Sequence, residues 1–138
     1  MRRRLILTLL PAMGLPAMGL ATLIGARPAL AAMEAPFTQA AFTTAQKAGK
    51  PILVDITAPW CPTCAAQKPI LGMLAIDPAF KDLVIFHVDF DSQKDVVRTL
   101  NARSQSTLIV FRGMDERGRS AGDTNAASIT ELVRKGVN

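Results

Sequence analysis

Cysteine and histidine are scarce in this chain, and that scarcity excludes several kinds of protein before any motif is read. Only two cysteines and one histidine occur among 138 residues. Cys61 and Cys64 stand three apart, too close to staple distant parts of a fold, so no structural disulfide framework is expected. A Cys2His2 zinc site would need a fourth ligand that a single histidine cannot supply, and no metal is assigned. The basic excess is less than it looks. Arg2, Arg3, Arg4 and Arg27 lie in the first 31 residues, which hold no acid, so without that segment the formal net charge falls from +5 to +1. A nucleic-acid partner, which needs a basic patch or stripe, then has nothing to rest on.

That first segment has a form of its own. A basic start at Met1-Arg2-Arg3-Arg4, an apolar middle uncharged as far as Arg27, and the ending Ala29-Leu30-Ala31 read as a secretory signal peptide over 1–31, cut after Ala31. The expected location is the periplasm. An uncleaved anchor is the alternative, since Leu5–Ile24 has the roughly 20 residues a membrane span needs; Pro11, Pro16 and the Ala-x-Ala ending favour cleavage. The Arg2-Arg3 pair also leaves the twin-arginine export route open. Removing 31 of 138 residues leaves 107, enough for one domain with a single core and too few for two, and a monomer is expected.

Residues 32–138 alternate between helical and extended patterns. Phe37, and Ala41, Phe42, Ala45 and Ala48 within the following Gln39–Ala48, recur at helical spacing, and Gly49-Lys50-Pro51 ends that helix. Ile52–Thr57 is an apolar, largely β-branched run, the pattern of a strand buried on both faces. A second helix opens at Cys61-Pro62, where a proline loses no hydrogen bond, and is expected to kink at Pro69. Leu83–Asp89 reads as a strand, Ser92–Leu100 as a helix capped by Asp91 or Ser92, and Thr107–Arg112 as a strand. Gly113–Gly118 carries turn signals before a weak edge strand at Arg119–Gly122. A last helix, Ala126–Lys135, is expected to be capped by Asp123-Thr124 and stopped by Gly136. The order implies an α/β domain with a central mixed sheet of about four strands and helices on both faces.

The cysteine pair is placed for redox chemistry. At a helix N-terminus, unpaired N–H groups and aligned peptide dipoles favour a thiolate, which makes Cys61 the attacking nucleophile. Cys64, one turn on and on the same side, can resolve a mixed disulfide. Asp55 is a carboxylate inside an apolar strand. Left charged and unpaired there it costs several kcal/mol, so it is protonated, serves a purpose, or points outward to local hydrogen bonds. Trp60 offers either an apolar contact for a flexible partner or ordinary packing.

Pro51-Ile52-Leu53-Val54-Asp55, then Ala58-Pro59-Trp60-Cys61-Pro62-Thr63-Cys64, then Pro69, Thr107-Leu108-Ile109-Val110-Phe111 and Gly122 occur in the order found in the thioredoxin superfamily, which nearly the whole of 32–138 resembles, from the first helix to the last. The resemblance implies a thioredoxin-like fold and a thiol–disulfide oxidoreductase that uses no cofactor. Its partners would be protein or peptide disulfides and, outside the cytoplasm, a membrane electron transducer. By the same resemblance Asp55 accepts the Cys64 proton, directly or through water, and Trp60, Pro62, Thr63, Gln105 and Ser106 form the substrate-contacting surface. His87 falls near the family's common lysine facing the buried acid, and it reads as a structural residue outside the mechanism.

The chain departs from the family pattern at Ser106, where a cis-proline usually precedes the threonine. A cis bond before serine costs about 2.5–4 kcal/mol, so the loop is either held cis by strain or relaxed to trans. Gln105 would then be the residue whose backbone pairs with a bound peptide, and the Ser106 hydroxyl is free to donate toward the Cys61 sulfur. Thr63 brings no positive charge to the dipeptide between the cysteines, which, with Asp55, leans toward a reductant. An oxidase or isomerase of secreted proteins, a non-catalytic binding module, and a thiol carrier of a soft metal such as copper stand as alternatives.

Overall fold

The computed structural model describes residues 31–138, so all but the last residue of the expected leader lies outside the described residues. The elements are β1 (Met33–Pro36), α1 (Gln39–Lys47), β2 (Pro51–Thr57), α2 (Pro62–Ile76), β3 (Val84–Asp89), α3 (Lys94–Thr99), β4 (Thr107–Arg112), β5 (Asp115–Ala121) and α4 (Ala126–Val137), with a 3-10 turn at Pro78–Phe80. They form one five-stranded sheet in the order β1-β3-β2-β4-β5. β3 runs parallel to both β1 and β2, whereas β4 is antiparallel to β2 and β5 to β4. The fold is thioredoxin-like α/β, with one strand more than the sequence suggests.

Strand alternation divides the core into two layers. Ile52, Val54 and Ile56 of β2 join Phe86, Ile109 and Phe111 under Phe42 and Ala45 of α1 and Val97 of α3. Leu53 turns to the opposite face and packs with Ile85, Leu108 and Val110 against Leu71 and Leu74 of α2 and Ile129, Leu132 and Val133 of α4. Both faces of β2 are therefore covered, as its continuous apolar run requires. Asp55 has the same parity as Leu53 and so belongs to the α2 face.

Several expectations are corrected. β1 was not foreseen: it is a four-residue edge strand, mostly exposed and ending in a proline, with no alternating apolar signal. α3 is shorter than expected and has Gln93, not Asp91 or Ser92, at its cap position with no side-chain capping bond. The Asp89 carboxylate instead accepts the N–H groups of Asp91 and Ser92, so the chain turns there before the helix starts. β5 begins at Asp115, because only Gly113 and Met114 are needed for the turn. α4 is capped by Asn125, whose side chain accepts from Ser128 N–H, rather than by Asp123-Thr124. Gly136 does not stop α4 but sits inside it, pressed against the sheet: a Cβ there would lie 2.7 Å from Val110 Cγ1 and 3.1 Å from the Phe111 carbonyl oxygen. α2 runs on through Pro69, as expected. At the far end of that helix, Ala32 N–H donates to the Ala75 carbonyl at 2.7 Å.

Candidate active site

α2 begins where β2 leaves the sheet, and the short connection Ala58-Pro59-Trp60 delivers Cys61 to its first position. Cys61 is the N-cap residue, with extended backbone, and Pro62 is the first helical residue. The Cys61 sulfur accepts the Cys64 backbone N–H at 3.0 Å, so it takes the place that a capping oxygen usually fills. Cys61 and Cys64 form a disulfide. Both are buried in this form, 3 % and 2 % exposed, while Trp60 and Pro62 beside them are open to solvent. Thr63 is half-buried. The Trp60 indole N–H donates to Asp91 Oδ2 at 2.7 Å, which fixes the ring as an exposed apolar plate next to the disulfide.

The loop before β4 supplies the rest. No cis peptide bond occurs among the described residues, so the loop has taken the trans alternative, and Ser106 has φ +60°. A left-handed conformation costs a non-glycine residue about 1–2 kcal/mol and persists only where its surroundings enforce it. Here they do. Ser106 N–H donates to the Ile56 carbonyl at 2.7 Å, and the Ser106 carbonyl accepts from Gly122 N–H at 3.0 Å and from Gln67 Nε2 at 3.2 Å. The hydroxyl so fixed lies 3.3 Å from Cys61 Sγ and 3.5 Å from Cys64 Sγ. Gln105, just before it, is half-buried.

Gln67 was not singled out from the sequence. It is 1 % exposed, and its amide nitrogen also donates to the Asp123 carbonyl at 2.8 Å, so one side chain from α2 ties together the two loops behind the disulfide. Among the described residues its Oε1 has no hydrogen-bond partner. Its helical spacing from Cys64, Leu71 and Leu74, which are buried along α2 as it is, was the available signal.

Asp55 is 4 % exposed, and its side chain is bonded to His87 Nδ1 at 3.0 Å rather than to either cysteine. The pairing follows from register, since Asp55 and His87 are directly opposed on β2 and β3. The bond to Asp55 raises the imidazole above the ordinary histidine value; burial and Lys68 oppose this, and the Asp55 and Glu34 charges add to it. Glu34 Oε1 lies 3.9 Å from His87 Nε2. The pair faces a cavity of about 430 Å³ lined by Glu34, Asp55, Thr57, Lys68, Leu71, Gly72 and His87, through which the buried carboxylate meets solvent. His87 therefore contacts the buried acid directly. Among the described residues no group of three or more His, Cys, Asp or Glu side chains is placed to hold a metal ion.

Comparison with known proteins agrees with this geometry. Residues 34–135 match the thioredoxin family model. The chain is 32 % identical over 85 residues to a chloroplastic M-type thioredoxin of Zea mays, covering 62 % of this chain and 50 % of that protein. It is also 32 % identical over 93 residues to the thioredoxin of Mycobacterium bovis, covering 67 % and 79 %. The match thus spans about half the length of the maize relative. Among solved structures, Trxlp from Edwardsiella tarda superposes with a TM-score of 0.71 at 41 % identity, covering 74 % of this chain and 98 % of that one. A thioredoxin from Halobacterium salinarum shares the fold at 18 % identity with a TM-score of 0.68, covering 83 % and 97 %.

Proposed function

The chain belongs to the thioredoxin family of thiol–disulfide oxidoreductases, and from that premise we propose that it acts outside the cytoplasm as a reductant of protein or peptide disulfides. Cys61 is the nucleophile of this reading and Cys64 the resolving thiol. The Cys61 thiolate attacks a substrate disulfide and forms a mixed disulfide, expelling one substrate thiolate. Cys64 then loses its proton and attacks Cys61 Sγ, which expels the second substrate sulfur as a thiolate, protonated by solvent, and leaves the Cys61–Cys64 disulfide. Asp55 receives the Cys64 proton through water, and His87 lies between it and solvent. Trp60, Pro62, Thr63 and the Gln105–Ser106 loop form the surface on which the substrate rests. A membrane electron transducer restores the dithiol, and cleavage after Ala31 releases the domain into the periplasm.

The observation that carries the direction of electron flow is the neutrality of the groups on Cys61. Its sulfur accepts a backbone N–H and lies beside a serine hydroxyl, with no cation bonded to it among the described residues. A thiolate without a cationic partner is stabilised less, and the pair is correspondingly more reducing. Equilibration against glutathione is expected to give a potential nearer thioredoxin's about −270 mV than the about −120 mV of a strong oxidase; a value above roughly −150 mV would overturn the reductase reading. The Ser106 hydroxyl favours the second reading, an oxidase or isomerase, because a donor on Cys61 stabilises the dithiol form and pushes the potential up.

A further inference from the structure

Ser106 presents one hydroxyl to two sulfurs. In the disulfide neither sulfur carries a hydrogen, so the hydroxyl is the only donor in both contacts, at 3.3 Å to Cys61 and 3.5 Å to Cys64. The two sulfurs are otherwise unequal. Cys61 Sγ also accepts the Cys64 backbone N–H, whereas among the described residues the Ser106 hydroxyl is the sole hydrogen-bond partner of Cys64 Sγ. A buried thiolate with no donor is costly to form, and Cys64, lying one turn inside the helix, has less of the helix-start N–H field than Cys61.

We propose that the Ser106 hydroxyl serves both cysteines in turn, donating to the Cys61 thiolate before attack and rotating to the Cys64 sulfur once Cys61 is held in the mixed disulfide. This rests on Cys61 as nucleophile and Cys64 as resolving thiol. Rotation about one C–O bond moves the donated proton between the sulfurs, since the oxygen already lies within reach of both. No bond to Ser106 forms or breaks. The proton lost by Cys64 goes to solvent by way of Asp55, and the hydroxyl hydrogen bond stabilises the charge left behind. Ser106 is thus a catalytic residue for the resolving step as well as the first one. Gln67 is its positioning residue: with 1 % exposure, it grips the Ser106 carbonyl and helps hold the left-handed backbone that aims the hydroxyl inward.

The test uses Ser106→Gly, because glycine adopts φ +60° without strain and removes only the hydroxyl. Thiolate absorbance is titrated in Cys64→Ser, which leaves Cys61, and in Cys61→Ser, which leaves Cys64, each with and without Ser106→Gly. The thiolate fraction at pH 7 is expected to fall about tenfold in both, the effect of losing one charge-assisted hydrogen bond. Release of thionitrobenzoate from its mixed disulfide with Cys61, driven by Cys64 in the otherwise intact protein, is expected to slow by a similar factor. A fall confined to the Cys61 protein, or release at the wild-type rate, overturns the proposal and leaves the reductase reading standing. Failure of Cys64→Ser to form any mixed disulfide counts against the nucleophile assignment itself. Ser106→Ala repeats the loss of the hydroxyl at a strained backbone and is expected to give the same thiolate fractions with lower stability. Gln67→Met is expected to shift both fractions in the same direction as Ser106→Gly and to add nothing on top of it; additive effects show that Gln67 supports the fold alone.

Discussion

At the scale of single residues, roles separate cleanly by mutation. Cys61→Ser is expected to abolish mixed-disulfide formation with a model disulfide protein and Cys64→Ser to trap it, and non-reducing gels of the two variants read the difference directly. The opposite pattern reverses the assignment. His87 gives a stability signature instead. Its folded pKa lies above the unfolded value near 6.5, mainly through the hydrogen bond to Asp55, so the protonated ring contributes stability that is fully present below about pH 6.5 and is lost as pH rises through the folded value. The melting temperature of the oxidised protein should fall across that window, and His87→Gln should melt without the fall. Because the chain has one histidine, its proton resonance reports the same titration without assignment. A proline at 106 is a poor probe here: it cannot take φ +60° and would lose the N–H bond to Ile56.

Among the elements, α4 offers the sharpest test of close packing. Gly136→Ala improves helix propensity by up to about 1 kcal/mol, yet its Cβ would collide with Val110 and the Phe111 carbonyl, a strain of about 1–3 kcal/mol. A net loss of stability in urea denaturation is expected; a gain would mean that α4 shifts freely on the sheet. The same residue shows where sequence reading fails. A glycine after Arg134-Lys135 carries the ordinary marks of a helix end, and only the distance to β4 reveals that it serves contact instead. Strands β2 and β4 were legible because they are buried on both sides and so write their burial into continuous apolar runs. β1 and β5 were poorly legible because edge strands of polar sequence, such as Asp115–Ala121, are held by backbone bonds that leave no side-chain pattern. The cysteines and Asp55 stood out by contrast with their surroundings. Gln67 did not, since its part is played through loops that lie 39 and 56 residues further along the chain.

For the molecule as a whole, stability is shared between two apolar layers divided by one sheet, and Phe86 anchors the layer away from the disulfide. Its ring meets Phe37 and Phe42 edge-on, each at 6.0 Å between centroids, so it joins β3 to α1 and to the chain leaving β1. Phe86→Ala is expected to cost about 3–5 kcal/mol, a large part of the roughly 5–15 kcal/mol that holds a domain of this size, and calorimetry would read it as a drop in Tm. The redox helix bridges the other layer, with Cys61 at its start and Ala75 next to its last residue. That far end is where Ala32 N–H meets the Ala75 carbonyl. A cut after Ala31 would convert this neutral amide into a free amino terminus, with a positive charge resting on the negative pole of the helix and worth about 0.3–1 kcal/mol. On the proposed cleavage, processing would be a structural event as well as a release: loss of residues 1–31 would tighten the helix at one end, away from the cysteines at the other.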